Sequence, residues 1–551
     1  MGGGEAFLNR PRGKTGAKGS VMQADRIIGQ VVAVSAGQMQ LAIETAAAAR
    51  LKGDADAVLA STGMLGSLIK VESQGLYVIG TLRTIEQQAG AAVGMVDMVG
   101  EAEIDADGRL ARFRRGVGTY PRAGDPALPT DSVETARVFS GDERPHIQVG
   151  IVYPTGQVRA AVYYDLFLSK NFAIVGSTGT GKSTATALIL HRIIEQAPEG
   201  HVVMIDPHGE YAKAFADTGM VFNVNNLELP YWLLNFEEHC EVLLTSEGAA
   251  REMDRDILAR CLQIARMKSV YALSSVGITT DTPIPYLLAV LLDTLNSEMG
   301  KISESQNATN YLRIKGKLEQ IMRDPRTQFM FDRRYSTDNM ADFIGRILRL
   351  PVNGKPISVI DLSGVPTSVV SAVVSVLSRI VFDFAVWSRD ERRRPVVLVC
   401  EEAHRYIPSR SISKQSPVRD VLERIAKEGR KYGVSLGLVT QRPSDLAEGA
   451  LSQCGTIVSL RLNNERDQAF VRNALPEGGR SLLEAIPALR NRECIISGEG
   501  VAAPIRVRLD DLEPHKRPMS DDPVFSELWV KTGDDAEMLE RVIKRWRANT
   551  R

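Results

Sequence analysis

The chain has 551 residues, enough for about three domains that each bury a core. Its 67 basic and 67 acidic residues give a formal net charge of zero, so overall charge does not indicate a nucleic-acid partner. Five widely spaced cysteines without a Cys-x-x-Cys pair favour reduced thiols in a cytoplasmic protein over disulfides or zinc sites. No apolar run approaches the roughly 20 residues of a membrane span, so we expect no membrane segment.

The N-terminal part is predicted to be a tail followed by a β-rich domain. Residues 1–21 contain Gly, Arg and Lys without an apolar core, which is typical of a flexible basic tail. Short apolar runs separated by glycines continue to about residue 150, for example those that begin at Ile27, Gly66 and Gly75. Closely spaced short strands of this kind predict a small β-barrel.

The first chemical motif is a phosphate-binding loop, or P-loop, which begins at Gly176. An apolar strand, Phe172 to Val175, precedes it and an apolar helix follows, which disfavours a chance match in a glycine-rich turn. Glycines let the backbone N–H groups surround phosphates, Lys182 reaches the β- and γ-phosphates, and the Ser183 hydroxyl ligates Mg²⁺. We therefore expect ATP and Mg²⁺ to bind at Gly176, Ser177, Thr178, Gly179, Thr180, Gly181, Lys182, Ser183 and Thr184.

A second apolar run begins at His201 and ends in Asp206-Pro-His-Gly-Glu-Tyr. An apolar strand with a carboxylate at its C-terminal end presents that residue to the ligand crevice of an α/β sheet. Asp206, His208 and Glu210 are therefore candidates for the neighbourhood of the γ-phosphate. For His208, a turn residue with only structural hydrogen bonds is an equal alternative.

Helical periodicity replaces the alternation of strands and helices from about residue 226 to residue 350. This segment is predicted to be a helical insertion into the nucleotide-binding domain. The sheet then resumes at Ile357, and a long apolar helix follows from about Ser368 to Trp387.

Two carboxylates, Glu401 and Glu402, follow the apolar run from Pro395 to Cys400. They match the Walker B pattern, in which the first carboxylate organises the Mg²⁺ shell and the second orients the attacking water. We assign Glu401 to the metal and Glu402 as the catalytic base, although P-loop enzymes usually have Asp at the first position. Two carboxylates without a function at the end of a buried strand would be costly to desolvate.

A third buried strand, Val434 to Val439, leads to Gln441 at the same sheet edge as Glu402. We expect Gln441 to sense the γ-phosphate by hydrogen bonding. Phosphoryl transfer also develops negative charge that a guanidinium stabilises, often from a neighbouring subunit.

Together these motifs resemble the HerA family of hexameric DNA translocases, which are relatives of FtsK. The resemblance covers residues 171–444 and rests on the P-loop, the segment from Asp206, Glu401-Glu-Ala-His, and the segment Glu428 to Ser444. It implies an α/β fold, with a RecA-like P-loop ATPase core that carries a helical insertion and follows the family's N-terminal HAS-barrel. The implied domains are a basic tail at 1–21, the barrel at 22–160, the ATPase core at 161–225 and 351–510, the helical insertion at 226–350, and a C-terminal tail at 511–551.

The resemblance also implies site residues beyond the P-loop. Arg430 is the implied arginine finger that acts on a neighbouring subunit, with Arg424 as the alternative. Lys170 stands where HerA proteins tend to carry an arginine near the phosphates; a lysine keeps the charge but loses the planar fork.

The function that the resemblance implies is ATP-driven movement of double-stranded DNA through a cytoplasmic homo-hexamer. Such relatives commonly work with a nuclease such as NurA, or with another effector such as a sirtuin-like or nuclease subunit, in DNA end processing or anti-phage defence. An ATP-bound ring that assembles and activates an effector is the alternative. A secretion-type ATPase is a weaker third possibility, because no membrane segment is predicted.

The loop after the Walker B strand contains the candidate DNA contacts, Arg410 and Lys414. Residues 405–417 are rich in Ser and Pro and contain no acidic residue. Six copies of this loop around a pore would bind phosphates without sequence preference. An ordinary solvated surface loop is an equal alternative.

Overall fold

The computed structural model describes residues 26–88, 91–272, 277–301, 305–391, 393–409, 416–474, 482–519, 524–530 and 536–548. These residues form an N-terminal β-barrel and an α/β core that carries a helical insertion. The fold class predicted from the sequence is therefore confirmed.

The barrel consists of short antiparallel strands that meet around one apolar cluster. Closure of the sheet pairs the backbone groups that an open edge would leave free. A β2–β5 pairing closes the order β2-β1-β7-β3-β4-β5, and β6 extends it beyond β5. The strands are β1 (Gly29–Val34), β2 (Gln38–Ile43), β3 (Leu68–Ser73), β4 (Leu76–Gln88), β5 (Ala91–Ile104), β6 (Leu110–Arg115) and β7 (Pro126–Pro129), and the helices Thr45–Leu51 and Ala57–Ala60 lie between β2 and β3.

The helix Ser132–Phe139 joins the barrel to the core. It begins with a capping box, in which the Asp131 side chain accepts from the Glu134 N–H at 2.9 Å and the Asp131 N–H donates back to Glu134 at 3.2 Å. The buried Glu134 carboxylate also accepts from Lys70 of β3. Because the same helix contacts the core sheet, the barrel is fixed to the core by a buried ion pair.

The core sheet has eleven strands in the order β12-β13-β11-β14-β15-β10-β16-β17-β18-β8-β9. Pairing is parallel from β12 to β16 and antiparallel from β16 onwards. All seven residues of β15 are buried, as expected for a parallel strand covered by helices on both faces. The strands are β8 (Ile147–Val152), β9 (Arg159–Val162), β10 (Phe172–Val175), β11 (His201–Asp206), β12 (Gly219–Phe222), β13 (Ile357–Asp361), β14 (Val396–Cys400), β15 (Val434–Thr440), β16 (Thr456–Ser459), β17 (Glu493–Gly498) and β18 (Ile505–Leu509).

The structure corrects the predicted end of the barrel. Strand β8 and the first two residues of β9 lie within the predicted barrel segment 22–160, but β8 pairs with β18 and β9 pairs with β8 at one end of the core sheet. The barrel sheet ends with β7 at Pro129. Short strands reveal their alternation of buried and exposed residues but not the partner strand that they will pair with, so the pattern alone assigned them to the nearer sheet.

The helices of the core cover both faces of the parallel sheet. One of them, Thr367–Trp387, is long and apolar enough to span a membrane, which corrects the expectation that no such run exists. Its buried residues pack on β14, β15 and the helix Pro417–Tyr432, as in the central helix of an α/β core. The other core helices are Tyr164–Ser169, Lys182–Gln196, Glu448–Ser452 and Glu465–Ala474.

The segment between β12 and β13 is helical. It is attached to the core through Glu238, whose buried carboxylate pairs with Arg379 of the core helix at 2.9 Å. Its helices are Phe236–Leu243, Gly248–Met267, Leu288–Gly300, Ser305–Arg323, Gln328–Phe331 and Met340–Leu348. Beyond β18 the chain forms the helices Phe525–Leu528 and Ala536–Ala548.

Candidate nucleotide-binding site

The sheet order places three functional segments side by side. Strand β15 lies between β14 and β10, and all three are parallel. Parallel strands present their C-terminal ends at one edge of the sheet, where α/β proteins bind ligands. The P-loop after β10, Gln441 after β15 and the two carboxylates after β14 therefore meet at one edge.

The backbone of the P-loop depends on its glycines. Gly179 and Gly181 have positive φ angles of 75° and 95°, a region that other L-residues adopt only at a cost. A Cβ at Gly176 would lie 2.8 Å from Thr180 Oγ1. The loop is also held from β16, because the Ser177 N–H donates to the Arg461 carbonyl at 2.9 Å.

Lys182 is held by the first Walker B carboxylate. Its Nζ donates to Glu401 Oε1 at 2.8 Å, and the Tyr211 hydroxyl donates to Glu401 Oε2 at 2.8 Å. Burial alone would lower the pKa of Lys182, but the Glu401 charge, with Glu402 and Glu210 further away, raises it. Burial raises the pKa of Glu401, and Lys182 and Tyr211 oppose that change, so the two groups form an ion pair.

The turn after β11 supplies the second wall of the site. Asp206 is fully buried, and its carboxylate accepts from the N–H groups of Gly209 and Tyr211, each at 2.9 Å. Burial raises its pKa to about 6, although these backbone donors oppose the change. The same turn brings Glu210 to the P-loop, where its Oε2 accepts from the Ser183 hydroxyl at 2.8 Å. The His208 side chain is exposed, and its backbone N–H donates to Asp206, so the contact seen here is the structural one.

Glu402 occupies a strained backbone position at the end of β14. Its φ angle is +52°, in the left-handed region, and its side chain is buried. Its Oε2 has no hydrogen-bond partner among the described residues. Such an orphaned buried carboxylate oxygen fits a group that is prepared to hold a water molecule.

Gln441 touches the P-loop directly, because its side-chain oxygen accepts from the Thr178 hydroxyl. A cleft of about 430 Å³ opens beside this contact. It is lined by Ser177, Thr178, Gln441, Arg442, Ser444, Asp445, Asn464, Arg466 and Asp467.

Three predicted residues lie away from this edge. Lys170 precedes β10 at the end of that strand opposite the P-loop and pairs with Glu499, so the structure does not bring it to the P-loop of its own chain. Arg430 is exposed near the end of the helix that precedes β15, which puts it at the opposite edge of the sheet. Arg424 lies on the same helix, 4.7 Å from the centre of the Phe382 ring and 3.6 Å from Glu428.

The candidate DNA contacts Arg410 and Lys414 lie outside the described residues. Residues Tyr211 and His404 were missed as site residues, although both close the motifs that were recognised, Asp206-Pro-His-Gly-Glu-Tyr and Glu401-Glu-Ala-His. The conformation of the turns brings both side chains close to the carboxylates, and the spacing of the motifs alone does not predict that conformation.

The donor set fits a magnesium ion bound with a nucleotide rather than a metal bound by protein alone. The described part of the chain contains no group of three or more His, Cys, Asp or Glu side chains able to hold a metal. Mg²⁺ in nucleotide sites takes one or two protein oxygens and completes its shell with phosphates and water. The Ser183 hydroxyl and the Glu401 carboxylate are such oxygens.

This edge has the residues of a P-loop ATPase site: a P-loop lysine, a Walker B pair of carboxylates, and a polar residue directly after the strand between them. Residues 147–381 match the family described as "Helicase HerA, central domain". The chain is 28% identical over 400 residues, 66% of its length and 69% of the relative's, to the DNA double-strand break repair helicase HerA of Pyrococcus furiosus. It is 26% identical over 424 residues, 76% of its length and 79% of the relative's, to the protein of the same name from Sulfurisphaera tokodaii. The chain is thus similar to the HerA helicases, both in its central region and over about two thirds or more of its length.

Among solved structures, VirB4 of Thermoanaerobacter pseudethanolicus matches part of this chain. The two chains share 16% sequence identity at a TM-score of 0.49, and the similarity covers 68% of this chain and 99% of VirB4.

Proposed function

We propose that the chain is an ATP-hydrolysing motor that assembles into a hexameric ring in the cytoplasm and moves double-stranded DNA. The observation that carries the proposal is the convergence of Lys182, Glu401, Glu402 and Gln441 at one sheet edge. The family relationship supports DNA as the partner, since the relatives are named DNA double-strand break repair helicases.

ATP binding would begin by exchanging the partner of Lys182. In the structure its ammonium neutralises Glu401, and a triphosphate offers a stronger concentration of negative charge at the same loop. As Lys182 moves to the phosphates, Glu401 keeps its hydrogen bond from Tyr211 and becomes available to a cation. Mg²⁺ bound there would neutralise phosphate charge, with Ser183 and Glu401 as its protein ligands.

Hydrolysis would then depend on Glu402 and Gln441. Glu402 accepts a proton from the attacking water, which its buried and unpartnered Oε2 suits. Gln441 contacts Thr178 of the P-loop and so lies where a γ-phosphate would replace or strengthen that contact. Arg430, exposed at the far edge, would complete the site of the next subunit.

The test combines hydrolysis with movement. Purified protein is assayed for ATP turnover with and without linear double-stranded DNA, and for ATP-driven displacement of a third strand from a triplex. Wild type should hydrolyse ATP faster with DNA and displace the strand. Lys182→Ala should lose ATP binding, and Glu402→Gln should bind ATP but hydrolyse it at least about a hundred times more slowly. Lys301→Ala, at an exposed position of the insertion, is the control and should behave as wild type.

The outcome also separates a motor from a scaffold. If DNA leaves turnover unchanged and no strand is displaced while the ring still forms with ATP, the protein is an ATP-bound scaffold for an effector. Near-normal turnover by Glu402→Gln would overturn the site assignment itself. Co-purification of the native complex would then identify the partner, for which a nuclease is our proposal.

A further inference from the structure

The side chain of His404 lies between the Walker B glutamate and the strand that carries Gln441. Its Nδ1 is 3.0 Å from Thr440 Oγ1, with which it forms a hydrogen bond, and 3.1 Å from Glu402 Oε2. The second contact lacks hydrogen-bond geometry, because Glu402 Oε2 has no partner among the described residues. One ring nitrogen therefore faces two oxygens and is bonded to only one of them.

Burial, with a smaller contribution from the neighbouring Arg405, lowers the pKa of His404 to about 4, so the imidazole is neutral near pH 7. A neutral ring has one N–H, which can reside on Nδ1 and be donated to either oxygen after a small rotation. If Nδ1 carried only a lone pair, it would face the carboxylate at 3.1 Å and repel it. The tautomer that suits both neighbours is the one protonated at Nδ1.

Thr440 connects this histidine to the P-loop. It is the last residue of β15 and is followed directly by Gln441, whose side chain contacts Thr178. Its carbonyl accepts from the Gly176 N–H at 3.3 Å, and its hydroxyl accepts from the Arg442 N–H at 3.0 Å. A displacement of Gln441 or of the P-loop therefore changes the position of the hydroxyl that holds His404.

We propose that His404 is a positioning residue that aims Glu402 at the attacking water and, through Thr440, makes that aim depend on whether Gln441 is engaged by a phosphate. With no phosphate, Nδ1 donates to Thr440 and Glu402 Oε2 has no fixed partner. When β15 shifts at its end, the same N–H is free to fix the Glu402 carboxylate. The left-handed backbone of Glu402 leaves its side chain dependent on such a contact for its direction.

This inference rests on the proposed ATPase function, and it is tested by steady-state ATP turnover of six variants with the wild-type protein alongside. A displacement of a catalytic group by about 1 Å costs roughly a hundredfold in rate, so His404→Ala should lower kcat by about 30- to 100-fold. KM for ATP and the melting temperature should change little, since the hydrogen bond of the histidine side chain goes to Thr440 at the end of β15 and not to a P-loop residue.

The conservative variants make the test specific to Nδ1. The amide nitrogen of His404→Asn lies near the position of Nδ1, whereas that of His404→Gln lies near Nε2, so Asn should recover most of kcat and Gln should not. Thr440→Val removes the oxygen that competes with Glu402 for the Nδ1 proton, so kcat should stay at or above the wild-type value, whereas Thr440→Ser keeps that oxygen and should match wild type. The His404→Ala/Thr440→Val double variant should match His404→Ala, because Thr440 acts on Glu402 only through the histidine.

Several results would overturn the proposal. Normal kcat in His404→Ala, equal recovery by Asn and Gln, or a double variant whose kcat differs from that of His404→Ala would each show that Glu402 is aimed by other groups. A fall in melting temperature that accounts for the lost turnover would show a structural role only. If wild type itself hydrolyses no ATP, the proposed function fails; if Glu402→Gln is inactive while His404→Ala is not, only this inference fails.

Discussion

The position of Arg430 leads to a quantitative prediction about subunit mixing. Arg430 is exposed near the end of the helix Pro417–Tyr432, and the whole of β15 separates it from Gln441 at the site. Seven extended residues span about 23 Å, so Arg430 does not reach the P-loop of its own chain. If it serves catalysis, it does so across a subunit interface.

We therefore expect Arg430→Ala and Lys182→Ala proteins to complement each other. Each alone should be nearly inactive, because an arginine finger contributes about 10³- to 10⁵-fold and the P-loop lysine holds the phosphates. In randomly assembled rings mixed in equal amounts, an interface works when an intact Lys182 faces an intact Arg430. About one interface in four meets this condition, so turnover should return to about one quarter of wild type if interfaces act independently.

The assay uses two affinity tags to isolate mixed rings, followed by steady-state ATP hydrolysis. Mixing Arg430→Ala with the Arg430→Ala/Lys182→Ala double variant is the matched control, since no interface then contains a finger. Absence of recovery in well-mixed rings, or near-wild-type turnover by Arg430→Ala alone, would refute the reasoning. Parallel mixing with Arg424→Ala in place of Arg430→Ala tests the alternative finger.

Three further predictions follow from contacts in and near the site. Burial raises the Asp206 pKa from 3.8 to about 6, so ionisation of this carboxyl lowers the free energy of unfolding as pH rises from about 4 to 6. Asp206→Asn should remove about 3 kcal/mol of this pH-dependent decrease, measured by denaturant unfolding across that range. An unchanged pH profile in that variant would contradict the burial argument. Tyr211→Phe should lower the free energy of unfolding by about 1–3 kcal/mol, since Glu401 loses a buried hydrogen-bond donor while the ring still packs on Phe215. An unchanged melting curve would mean that another group replaces the Tyr211 hydroxyl as the donor. The Arg410→Ala/Lys414→Ala variant should keep its DNA-free ATP turnover but bind DNA more weakly and with a flatter salt dependence; unchanged binding would mean that DNA contacts lie elsewhere.

The positions of the candidate site residues were predictable because they belong to short motifs with fixed spacing along the chain. Buried strands directly precede the P-loop, Gly176 to Thr184, and the pair Glu401 and Glu402. Each motif therefore indicates where its residues lie in the fold. The end of a parallel strand is also a reliable location. This is why Gln441 was expected at the edge where the structure has it.

The differences between prediction and structure concern relations between segments that sequence order does not determine. Lys170 is six residues before Gly176 along the chain, but the four-residue strand β10 between them spans about 13 Å and puts the two at opposite edges. Strand β8 follows the barrel in sequence yet pairs with β18, which lies more than 300 residues later, and β9 pairs with β8. The proposed role of His404 depends on a turn at Glu402 whose backbone conformation is uncommon for glutamate. No residue pattern in the sequence predicts that conformation.

The left-handed backbone at Glu402 also bears on how this protein could change under selection. A non-glycine residue in that region stores about 1–3 kcal/mol, and burial of the carboxylate adds to the cost, so Glu402→Gly should give a more stable but inactive protein. Libraries sorted only for heat resistance should therefore become enriched in small residues at position 402, whereas libraries sorted for turnover should retain glutamate. The frequency of substitution at this one site would measure how far stability and catalysis are in conflict within the chain.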